Sequence, residues 1–374
     1  MTIDKKKTVV VAMSGGVDSS VAALLLKEQG YNCVGVTMKL LDAEISGSHV
    51  NYDNGCCSLD SVNDAKLVCS KLGIPHYVLN FSRQFYDSVI DDFITQYLAG
   101  YTPNPCVVCN KKIKWQALIE RSREFGADYI ATGHYARVQY NALSGRYELL
   151  KGRYAAKDQS YALWAITQES LAHTLFPLGD FTKPEIRQMA EKFDLVTAKK
   201  KESMDICFVP NNDYKGFLIS TVDNLEYRVQ GGELVTVHGE VVGHHRGYPF
   251  FTIGQRRGLG KGFGRPMYVV DIDAKHNRVI IGEEKYLYSK ELIAKSVNFV
   301  SIADAKKGIR GEVKIRYRSP AAQATIYSLK DGRVRVIFDE PQKAVTPGQS
   351  AVFYDGDKVL GGGIIESFKR VNVE

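Results

Sequence analysis

A glycine- and serine-rich segment near the N-terminus has the residue types of an anion-binding loop. Its residues are Ala12, Met13, Ser14, Gly15, Gly16, Val17, Asp18 and Ser19. The β-branched run 8–12 before it predicts a buried strand, and the apolar stripe over 21–27 after it predicts a helix. Two glycines let the backbone turn tightly and point successive N–H groups at one place, where the helix N-terminus adds partial positive charge. The segment therefore predicts a phosphate site, although not of the Walker type, because no lysine follows the second glycine.

Cysteines form the second set of residues that could do chemistry. The chain has seven, Cys33, Cys56, Cys57, Cys69, Cys106, Cys109 and Cys207. An odd number in a chain with no apparent secretion signal argues against a disulfide framework. Cys33 and Cys69 lie in core-facing patterns and are expected to be inert, whereas Cys56 and Cys57 are assigned no role.

Cys106 and Cys109 form a C-x-x-C pair at the predicted beginning of a helix that extends to Glu124. A thiol at a helix N-terminus, close to Lys111 and Lys112, is expected to have a lowered pKa and a larger thiolate fraction. Such a pair fits redox chemistry, metal binding or a purely structural role, and the residues alone leave all three open. A second C-x-x-C is missing, so the sequence does not indicate a closed four-cysteine zinc site.

The segments that must position these residues alternate between strands and helices. Strands are predicted at 33–38, at 76–80 and within 128–135, and a helix is predicted over 59–72. This alternation predicts βαβ units and an α/β fold with a doubly wound parallel sheet. Ligands of such sheets bind beyond the carboxyl ends of the strands, so Met38, Gly133 and His134 are expected on the same rim as the loop.

The later part of the chain has a different pattern. Thr182–Glu185 is a capping box that opens a helix to about Phe193, and a lysine run at 199–201 follows it. From about Tyr214 the alternation stops, and short β-type runs between glycine-rich loops predict a small barrel or sandwich. Two soft boundaries, near residues 216 and 288, divide the chain into three expected domains, 1–216, 217–288 and 289–374.

Composition bounds the possible functions. A chain of 374 residues is expected to form two or three domains. The apolar run 9–13 is too short for a signal peptide core or a membrane span, so we expect a cytoplasmic protein without a membrane partner. The net charge is +7, and residues 289–374 contribute +5 of it, with 15 Lys and Arg against 10 Asp and Glu. This basic balance is compatible with a polyanion partner.

Several motifs together resemble the bacterial tRNA-specific 2-thiouridylases, enzymes with a pyrophosphate loop that split ATP into AMP and pyrophosphate. They are S-G-G-V-D-S at 14–19, T-P-N-P-C-V-V-C-N-K-K-I-K at 102–114, A-T-G-H-Y at 131–135, K-D-Q-S-Y at 157–161, the lysine run before D-I-C-F at 205–208, F-T-I-G-Q-R-R-G-L-G at 251–260 and R-Y-R at 316–318. The resemblance covers nearly the whole chain, with the motifs in the same order. It implies a pyrophosphate-loop domain over 1–216, a small central tRNA-contacting domain over 217–288 and a tRNA-binding C-terminal β-barrel over 289–374.

The resemblance also implies roles for individual residues. ATP, accompanied by Mg²⁺, would contact Ala12 to Ser19, Met38 and Gly133. Cys109 would be a catalytic cysteine, and Cys207 would carry a persulfide supplied by a sulfur donor or relay protein. Asn104, Pro105 and Cys106 would lie against the target base, uridine 34 in the tRNA anticodon. The further tRNA contacts would be His134, Lys157, Asp158, Gln159, Arg316, Tyr317 and Gln349.

The implied chemistry explains why these parts occur together. The C2 oxygen of uracil is a poor leaving group, so adenylation by ATP activates it and releases pyrophosphate. Sulfur then attacks C2 and expels AMP, and a cysteine persulfide can deliver that sulfur. In this scheme Cys109 attacks Cys207 and releases the sulfur, which leaves a disulfide for a reductant to open. The base must leave its stack, which costs least in a single-stranded anticodon loop.

One position departs from the family pattern. Many members have an aspartate where this chain has Cys106, so the acid/base role of that carboxylate is in doubt. Cys106, Cys109 and Cys207 are then expected to converge, as in the iron–sulfur-dependent tRNA thiolases, where three thiolates hold a [4Fe–4S] cluster and the open iron could carry hydrosulfide. The cluster, the persulfide relay and a structural zinc site are three alternative hypotheses for these thiols.

Two other classes of function stay open. A different pyrophosphate-loop enzyme, such as a tRNA lysidine synthetase or an amidotransferase-type synthetase, would not need the paired cysteines. A non-catalytic tRNA-binding or iron–sulfur protein would not need Ser14–Ser19.

Overall fold

The computed structural model describes residues 7–42, 58–201, 206–260 and 262–371. These residues form two compact units. The first consists of residues up to Val89, Cys106–Asp213 and Asp357–Val359, and the second of Ile90–Pro105, Tyr214–Gly356 and the residues from Leu360 onward. Within the described ranges, none of the helices combines the length and the apolar character that a membrane crossing requires.

The described secondary structure is numbered along the chain. The α-helices are α1 (Val17–Glu28), α2 (Leu59–Leu72), α3 (Ser82–Phe85), α4 (Asp91–Leu98), α5 (Pro105–Cys109), α6 (Leu118–Ser122), α7 (Gln168–Ala172), α8 (Lys183–Lys192), α9 (Tyr214–Thr221) and α10 (Leu225–Val229). The strands up to residue 245 are β1 (Thr8–Ala12), β2 (Asn32–Lys39), β3 (His76–Asn80), β4 (Tyr129–Ala131), β5 (Ala136–Asn141), β6 (Arg146–Lys151), β7 (Thr174–Leu175), β8 (Gly232–Thr236) and β9 (Val241–His245). The later strands are β10 (Tyr268–Asp273), β11 (Arg278–Gly282), β12 (Tyr288–Phe299), β13 (Ile309–Lys314), β14 (Ala322–Ser328), β15 (Val334–Lys343), β16 (Ser350–Asp355) and β17 (Lys358–Arg370).

A parallel sheet in the order β3-β2-β1-β4-β7 is the centre of the first unit. Val9, Val10 and Val11 of β1 are fully buried, as expected for a strand covered on both faces. From β1 the order runs through β2 to β3 on one side and through β4 to β7 on the other. The direction of winding therefore changes between β1 and β4, and a crevice at the carboxyl ends of these two strands is the usual ligand site of such a sheet. The predicted doubly wound parallel sheet is confirmed.

Helices α1, α2 and α8 pack together beside this sheet, and their ends follow the local sequence. The Ser58 hydroxyl caps α2 by accepting a hydrogen bond from the Ser61 N–H, and Gly73 ends the helix in the left-handed conformation. At α8, the predicted capping box is present between Thr182 and Glu185. These caps fix where α2 and α8 begin, next to Ser61 and Lys183, which are described with the candidate site below.

The helix predicted from the cysteines to Glu124 is interrupted. After α5 the chain winds as a π-helix over Asn110–Ala117 and returns to α geometry in α6. Inside the π-helix, the Trp115 indole donates to the Thr174 hydroxyl at 2.8 Å, and the Asn110 amide donates to the Ala162 carbonyl oxygen at 2.9 Å. Spacing of apolar residues along the chain does not distinguish such a turn from an α-helix, and π-turns occur often at functional sites.

An antiparallel hairpin of β5 and β6 follows β4, and the sequence pattern did not predict it. Lys358 and Val359, which belong to the first unit, pair with Leu150 and Leu149 of β6. The buried Glu148 carboxylate accepts hydrogen bonds from Gln139 and Asn141, both at 2.9 Å. Side-chain hydrogen bonds between strands thus support the hairpin.

The second unit contains two further sheets. One has the order β10-β11-β8-β9. In the other, the described strands β12-β15-β14-β13-β16-β17 close into a barrel because β12 also pairs with β17. The barrel encloses an apolar core that includes Leu292, Ile326, Val336 and Phe353. The predicted small barrel is confirmed, although α9 and α10 precede the strands that the sequence pattern predicted from Tyr214 onward.

Candidate functional site

The loop between β1 and α1 is held in shape by its own hydroxyl groups. The Ser14 N–H donates to the Ser19 hydroxyl oxygen at 3.2 Å, and the Ser19 and Ser20 hydroxyls donate to the Gly16 carbonyl at 3.0 and 2.9 Å. Gly15 has φ +68°, and a Cβ there would lie 2.1 Å from the Ser61 carbonyl oxygen. Both its backbone conformation and the lack of space therefore require glycine at position 15.

The end of β4 lies directly against this loop. A Cβ on Gly133 would be 2.8 Å from the Asp18 carbonyl carbon and from the Ser19 nitrogen. The close approach places Gly133 at the N-terminus of α1, as expected for residues that share the carboxyl-end rim of the sheet.

A cavity of about 220 Å³ opens over the loop and is rich in cationic side chains. Its described lining residues are Ser14, Gly15, Gly16, Val17, Asp18, Ser61, Tyr135, Lys157, Gln159, Lys183, Lys200 and Lys201. We call it the lysine pocket. Backbone N–H groups of a glycine loop and lysine ammonium groups both attract anions, so the pocket suits a ligand with several phosphates.

A second cavity, of about 290 Å³, adjoins the first and is less polar. Its described lining residues are Ala12, Met13, Ser14, Asp18, Ser19, Met38, Leu40, Lys114, Thr132, Gly133, His134 and Gln159. We call it the histidine pocket. Methionine, leucine and alanine side chains beside a few polar groups are a typical surrounding for a flat aromatic ring.

Three of the described lining residues, Ser14, Asp18 and Gln159, border both pockets. At this border the Asp18 carboxylate accepts hydrogen bonds from the Lys183 ammonium at 2.7 and 2.8 Å and from the Tyr135 hydroxyl at 2.7 Å. The structure thus brings together the ten residues predicted to contact the nucleotide, each of which lines at least one pocket.

His134 is a predicted tRNA contact that lies in the histidine pocket. Its Nδ1 is 2.7 Å from the Thr132 hydroxyl, and its ring centroid is 5.5 Å from that of Trp115. Desolvation, and secondly the charge of Lys114, lowers the pKa of His134 well below its usual value. This environment favours the neutral imidazole over the charged form.

The residues of the K-D-Q segment at 157–159 lie in two different environments. Lys157 and Gln159, predicted as tRNA contacts, line the lysine pocket, and Gln159 also lines the histidine pocket. Asp158 is not among the described lining residues. Its carboxylate accepts hydrogen bonds from the Gly152 N–H and from the N–H and hydroxyl of Ser160. The turn formed by these bonds holds Lys157 and Gln159 in place.

The three candidate catalytic cysteines do not share one environment. Cys109 is buried, Cys106 is exposed and Cys207 is half-buried. Cys207 lies in a turn closed by the Val209 N–H and the Ile206 carbonyl, beside Phe208, which packs on Phe85. None of the three is a described lining residue of either pocket. Cys56 and Cys57, and Asp205 of the D-I-C-F motif, lie outside the described residues.

The predicted metal-ligand set Cys106, Cys109 and Cys207 is not assembled. In the part of the chain that the structure describes, no group of three or more His, Cys, Asp or Glu side chains is arranged to hold a metal ion. Cys106 and Cys109 lie on the same short helix with one thiol exposed and the other buried, and Cys207 belongs to a separate turn. A metal site formed by these three thiols is therefore not supported among the described residues, and their roles in sulfur transfer stay predictions.

The lowered thiol pKa predicted for the C-x-x-C pair is wrong for Cys106. Although part of the Cys106 residue is exposed, the protein atoms around its thiol desolvate the thiolate and raise the pKa, while the charge of Lys114 acts in the opposite direction. Burial also raises the pKa of Cys33 to about 11 and of Cys69 to about 12, in agreement with inert core thiols.

Five predicted tRNA-side residues belong to the second unit, Asn104, Pro105, Arg316, Tyr317 and Gln349. The Gln349 amide donates to the carbonyl oxygens of Thr102 and Pro103 at 2.9 and 3.2 Å, and the Thr102 N–H donates to the Pro347 carbonyl at 2.9 Å. Gln349 therefore fixes the backbone that leads into Asn104 and Pro105, and its contact with tRNA stays a prediction.

Arg316 and Tyr317 lie in different environments. The Arg316 guanidinium donates to the Lys343 carbonyl oxygen at 2.8 Å, so it supports the barrel. Tyr317 is 43% exposed, with the Lys314 ammonium 5.9 Å from its ring centroid. A tRNA contact stays a prediction for both residues.

Sequence reasoning missed several lining residues, notably Lys114, Tyr135, Lys183 and Lys200. The capping box marked the beginning of α8 at Lys183, and the lysine run contained Lys200. Neither signal says that these side chains reach the loop after β1, because that depends on how distant helices pack. Lys200, for example, forms an ion pair with Asp64 of α2 at 2.6 Å.

Comparison with known families matches models over most of the chain. A tRNA methyl transferase HUP domain matches residues 7–211, a tRNA methyl transferase PRC-barrel domain matches 224–283, and an aminomethyltransferase beta-barrel domain matches 289–365. An N-terminal domain with the parallel sheet is thus followed by a central PRC-barrel domain and a closed C-terminal β-barrel.

Relatives of high similarity share one name. The tRNA-specific 2-thiouridylase MnmA of Acetivibrio thermocellus is 50% identical over 361 residues, which is 96% of this chain and 99% of that protein. The protein of the same name from Heliobacterium modesticaldum is 51% identical over 361 residues, 96% of this chain and 92% of that protein. A solved 4-thiouridine synthetase–RNA complex with bound ATP aligns with a TM-score of 0.34 and 17% identity over 58% of this chain and 51% of that chain, a likeness too low to carry an argument.

Proposed function

Because the chain belongs to the tRNA-specific 2-thiouridylase family, we propose that it uses ATP to replace the C2 oxygen of uridine 34 in tRNA by sulfur. The observation that carries the proposal is the pair of adjoining pockets around the loop after β1. One is cationic and suits phosphates, the other is less polar and suits a base, and they meet at Ser14, Asp18 and Gln159.

In the proposed complex, the adenosine occupies the histidine pocket and the β- and γ-phosphates occupy the lysine pocket, with Mg²⁺ as their counter-ion. The α-phosphate then lies at the border between the pockets. The C2 oxygen of uracil attacks this phosphorus, a new O–P bond forms, and the bond to the β-phosphate breaks. Pyrophosphate leaves with the electron pair into the lysine pocket, where the cationic side chains stabilise its charge.

Sulfur transfer follows in the proposed scheme. A persulfide on Cys207 carries the outer sulfur, and the Cys109 thiolate attacks the Cys207 sulfur that bears it. A Cys109–Cys207 disulfide forms, the released sulfur attacks C2 of the adenylated base, and AMP leaves. An external reductant then restores both thiols. This relay uses two cysteines that belong to the same unit, and no step passes through a metal cluster.

Asn104, Pro105 and Cys106 are proposed to contact the target base, and His134, Lys157, Asp158, Gln159, Arg316, Tyr317 and Gln349 to contact the tRNA. Of the described residues, Gln349 and Asp158 support this role by fixing backbone next to other members of the set. The three domains 1–216, 217–288 and 289–374, and a cytoplasmic location, also stay proposals.

The decisive experiment incubates the purified protein with ATP, tRNA and a persulfide source and measures three products. The proposal predicts AMP, pyrophosphate and 2-thiouridine in equal amounts, each dependent on tRNA. AMP and pyrophosphate without a thiolated nucleoside would indicate another pyrophosphate-loop enzyme. A methylated nucleoside, or tRNA binding without ATP turnover, would contradict the proposal.

A second assay tests the sulfur route. Protein purified without oxygen is analysed for iron and acid-labile sulfide, and its thiolation activity is measured in parallel. Full activity in iron-free protein supports the persulfide relay. Activity that rises in proportion to bound iron would contradict the relay and favour a cluster.

A further inference from the structure

Two side chains inside the parallel sheet form a hydrogen-bonded relay that ends on the backbone at the beginning of the loop after β1. We propose that Thr37 of β2 and His76 of β3 are positioning residues, which hold the Met13–Ser14 peptide in the orientation that nucleotide binding requires. Neither is a described lining residue of the lysine pocket or the histidine pocket, and neither belongs to the motifs that resemble the family. The inference rests on the proposed function and adds to it the residues that fix the loop from within the sheet.

The Met13–Ser14 peptide is held at both of its polar groups. The Met13 carbonyl oxygen accepts a hydrogen bond from the Thr37 hydroxyl at 2.9 Å, and the Ser14 N–H donates to the Ser19 hydroxyl oxygen at 3.2 Å. The Met13 N–H also donates to the Val36 carbonyl oxygen of β2 at 2.8 Å. Because a peptide group is planar, partners on both its carbonyl and its N–H fix the rotation of the whole group.

The orientation of this peptide matters because of what it borders. Met13 lines the histidine pocket, and Ser14 borders both pockets, where the α-phosphate lies in the proposed complex. A rotation of the peptide would carry the Ser14 N–H away from Ser19 and displace the backbone at the beginning of the loop. A loop that is already fixed in its binding geometry loses less conformational freedom when the ligand binds.

The direction of the relay follows from the chemistry of its three groups. A carbonyl oxygen can only accept, so the single hydroxyl proton of Thr37 points to Met13. The His76 Nε2 lies 2.8 Å from the same hydroxyl and must therefore donate its hydrogen to the Thr37 oxygen. Burial, and secondly the charge of Lys66, lowers the pKa of His76, which favours a neutral imidazole with its hydrogen on Nε2. Hydrogen bonds in such a chain polarise and strengthen one another.

The relay lies in a tightly packed part of the first unit. Thr37 is 1% exposed, and Met13 is buried as well. The register of β2 and β3 sets Gly35 opposite His76, and a Cβ on Gly35 would lie 3.3 Å from the Met13 Cγ and 3.5 Å from the His76 Cδ2. A polar group in such an interior is costly to leave without its partner, so we expect the Met13–Ser14 peptide to rotate when the Thr37 hydroxyl is removed.

The test measures ATP affinity by titration calorimetry, with Mg²⁺ present and tRNA absent. Thr37→Val keeps the branched shape but removes the hydroxyl, and we expect ATP affinity to fall by about tenfold, the size of one hydrogen bond between neutral groups. Thr37→Ser keeps the hydroxyl and should stay within about threefold of the wild type. His76→Leu removes only the donor that strengthens the relay, so its expected loss is about threefold.

A matched control separates positioning from general stability. The buried Thr346 of the second unit also donates from its hydroxyl to a backbone carbonyl, that of Ala344, at 2.9 Å. Thr346→Val should therefore lower the resistance to chemical denaturation, as Thr37→Val does, but leave ATP affinity unchanged.

The double variant Thr37→Val with His76→Leu tests whether His76 acts through Thr37. The relay predicts the same loss as in Thr37→Val alone, about tenfold, because His76 then has no hydroxyl to act on. Independent contributions would instead multiply to about thirtyfold. Circular dichroism verifies that each variant is folded.

Three outcomes overturn the inference. They are an unchanged ATP affinity in folded Thr37→Val, an equal loss of ATP affinity in Thr346→Val, and a multiplied loss in the double variant. If the wild type binds ATP and thiolates tRNA in any of these cases, only the inference fails. A wild type that does not bind ATP would overturn the proposed function together with the inference.

Discussion

The first unit assembles the residues expected to bind the nucleotide more completely than it assembles the cysteines expected to transfer sulfur. The residues expected to bind the nucleotide come together around one loop, from the carboxyl ends of β1, β2 and β4. The candidate sulfur-transfer residues Cys106, Cys109 and Cys207 have three different environments. A contiguous motif on a strand, loop and helix builds its site through local geometry, whereas thiols from distant segments meet only if tertiary structure or a bound substrate brings them together. We therefore expect these two sets of residues to respond differently to substitution.

The largest expected effect concerns the cysteines. Cys109→Ala and Cys207→Ala should each lower thiolation by at least about 10³-fold, because each removes a group that forms a covalent bond. Affinity for tRNA should hardly change. The matched control is Cys106→Ala, on the same helix as Cys109, which should keep thiolation within about tenfold of the wild type. A loss in Cys106→Ala as large as in Cys109→Ala would mean that the three thiols act as one set.

The second prediction compares two glycines with similar backbone angles. Gly15 has φ +68° and no room for a Cβ, whereas Gly126 has φ +62° and no heavy atom within 4 Å of that position. Gly126→Ala should reduce the free energy of unfolding by about 1 kcal/mol through backbone strain alone. Gly15→Ala must also move the loop away from Ser61. We expect it to lower ATP affinity by about 100-fold, on the order of two lost hydrogen bonds to phosphate.

Thermal unfolding and ATP titration of both variants check this prediction. Equal ATP affinities in Gly15→Ala and Gly126→Ala would show that the loop does not hold the phosphates.

A smaller effect is expected in the reactivity of Cys106. Desolvation raises the pKa of this thiol, so at neutral pH it is less ionised than an ordinary cysteine. Its alkylation by iodoacetamide, followed by mass spectrometry of the peptide, should be slow at pH 7 and accelerate as the pH rises above the ordinary thiol value. Lys114→Met should slow alkylation further, since Lys114 favours the thiolate. Fast alkylation at pH 7 would contradict the assigned environment.

The smallest effect is expected at Gln349. Gln349→Ala removes two hydrogen bonds to the backbone before Asn104, which should reduce the free energy of unfolding by about 1 kcal/mol. Chemical denaturation measures this change. If Gln349 also contacts tRNA, the affinity of the Gln349→Ala variant for tRNA should fall as well. Gln342→Ala, at a partly exposed position of β15, provides the control. An unchanged stability would contradict the positioning role.

The sequence predicted much of the first unit because its signals are local. The predicted bounds of β1, β3 and α2 coincide with those of the structure, and the capping box at Thr182 is present. The π-helix over Asn110–Ala117 was not predicted, because its winding depends on anchors such as Thr174 that are distant in sequence.

The residues of the site were likewise predictable only where they lie close together along the chain. Ser14 to Ser19 carry their own geometry, so their motif indicated a phosphate loop. Lys183 could not be assigned to the loop, because its contact with Asp18 joins residues 165 positions apart. The predicted convergence of Cys106, Cys109 and Cys207 was not supported, because spacing along the chain does not determine which face of a short helix a thiol occupies.

One measurement tests most directly whether the adenylation of tRNA proceeds without the cysteines that transfer sulfur. The double variant Cys109→Ala with Cys207→Ala is mixed with ATP and tRNA, and released pyrophosphate is followed in a single turnover. The account predicts pyrophosphate release that depends on tRNA, with no 2-thiouridine formed. Absence of pyrophosphate release in this folded variant, or release that does not depend on tRNA, would contradict it.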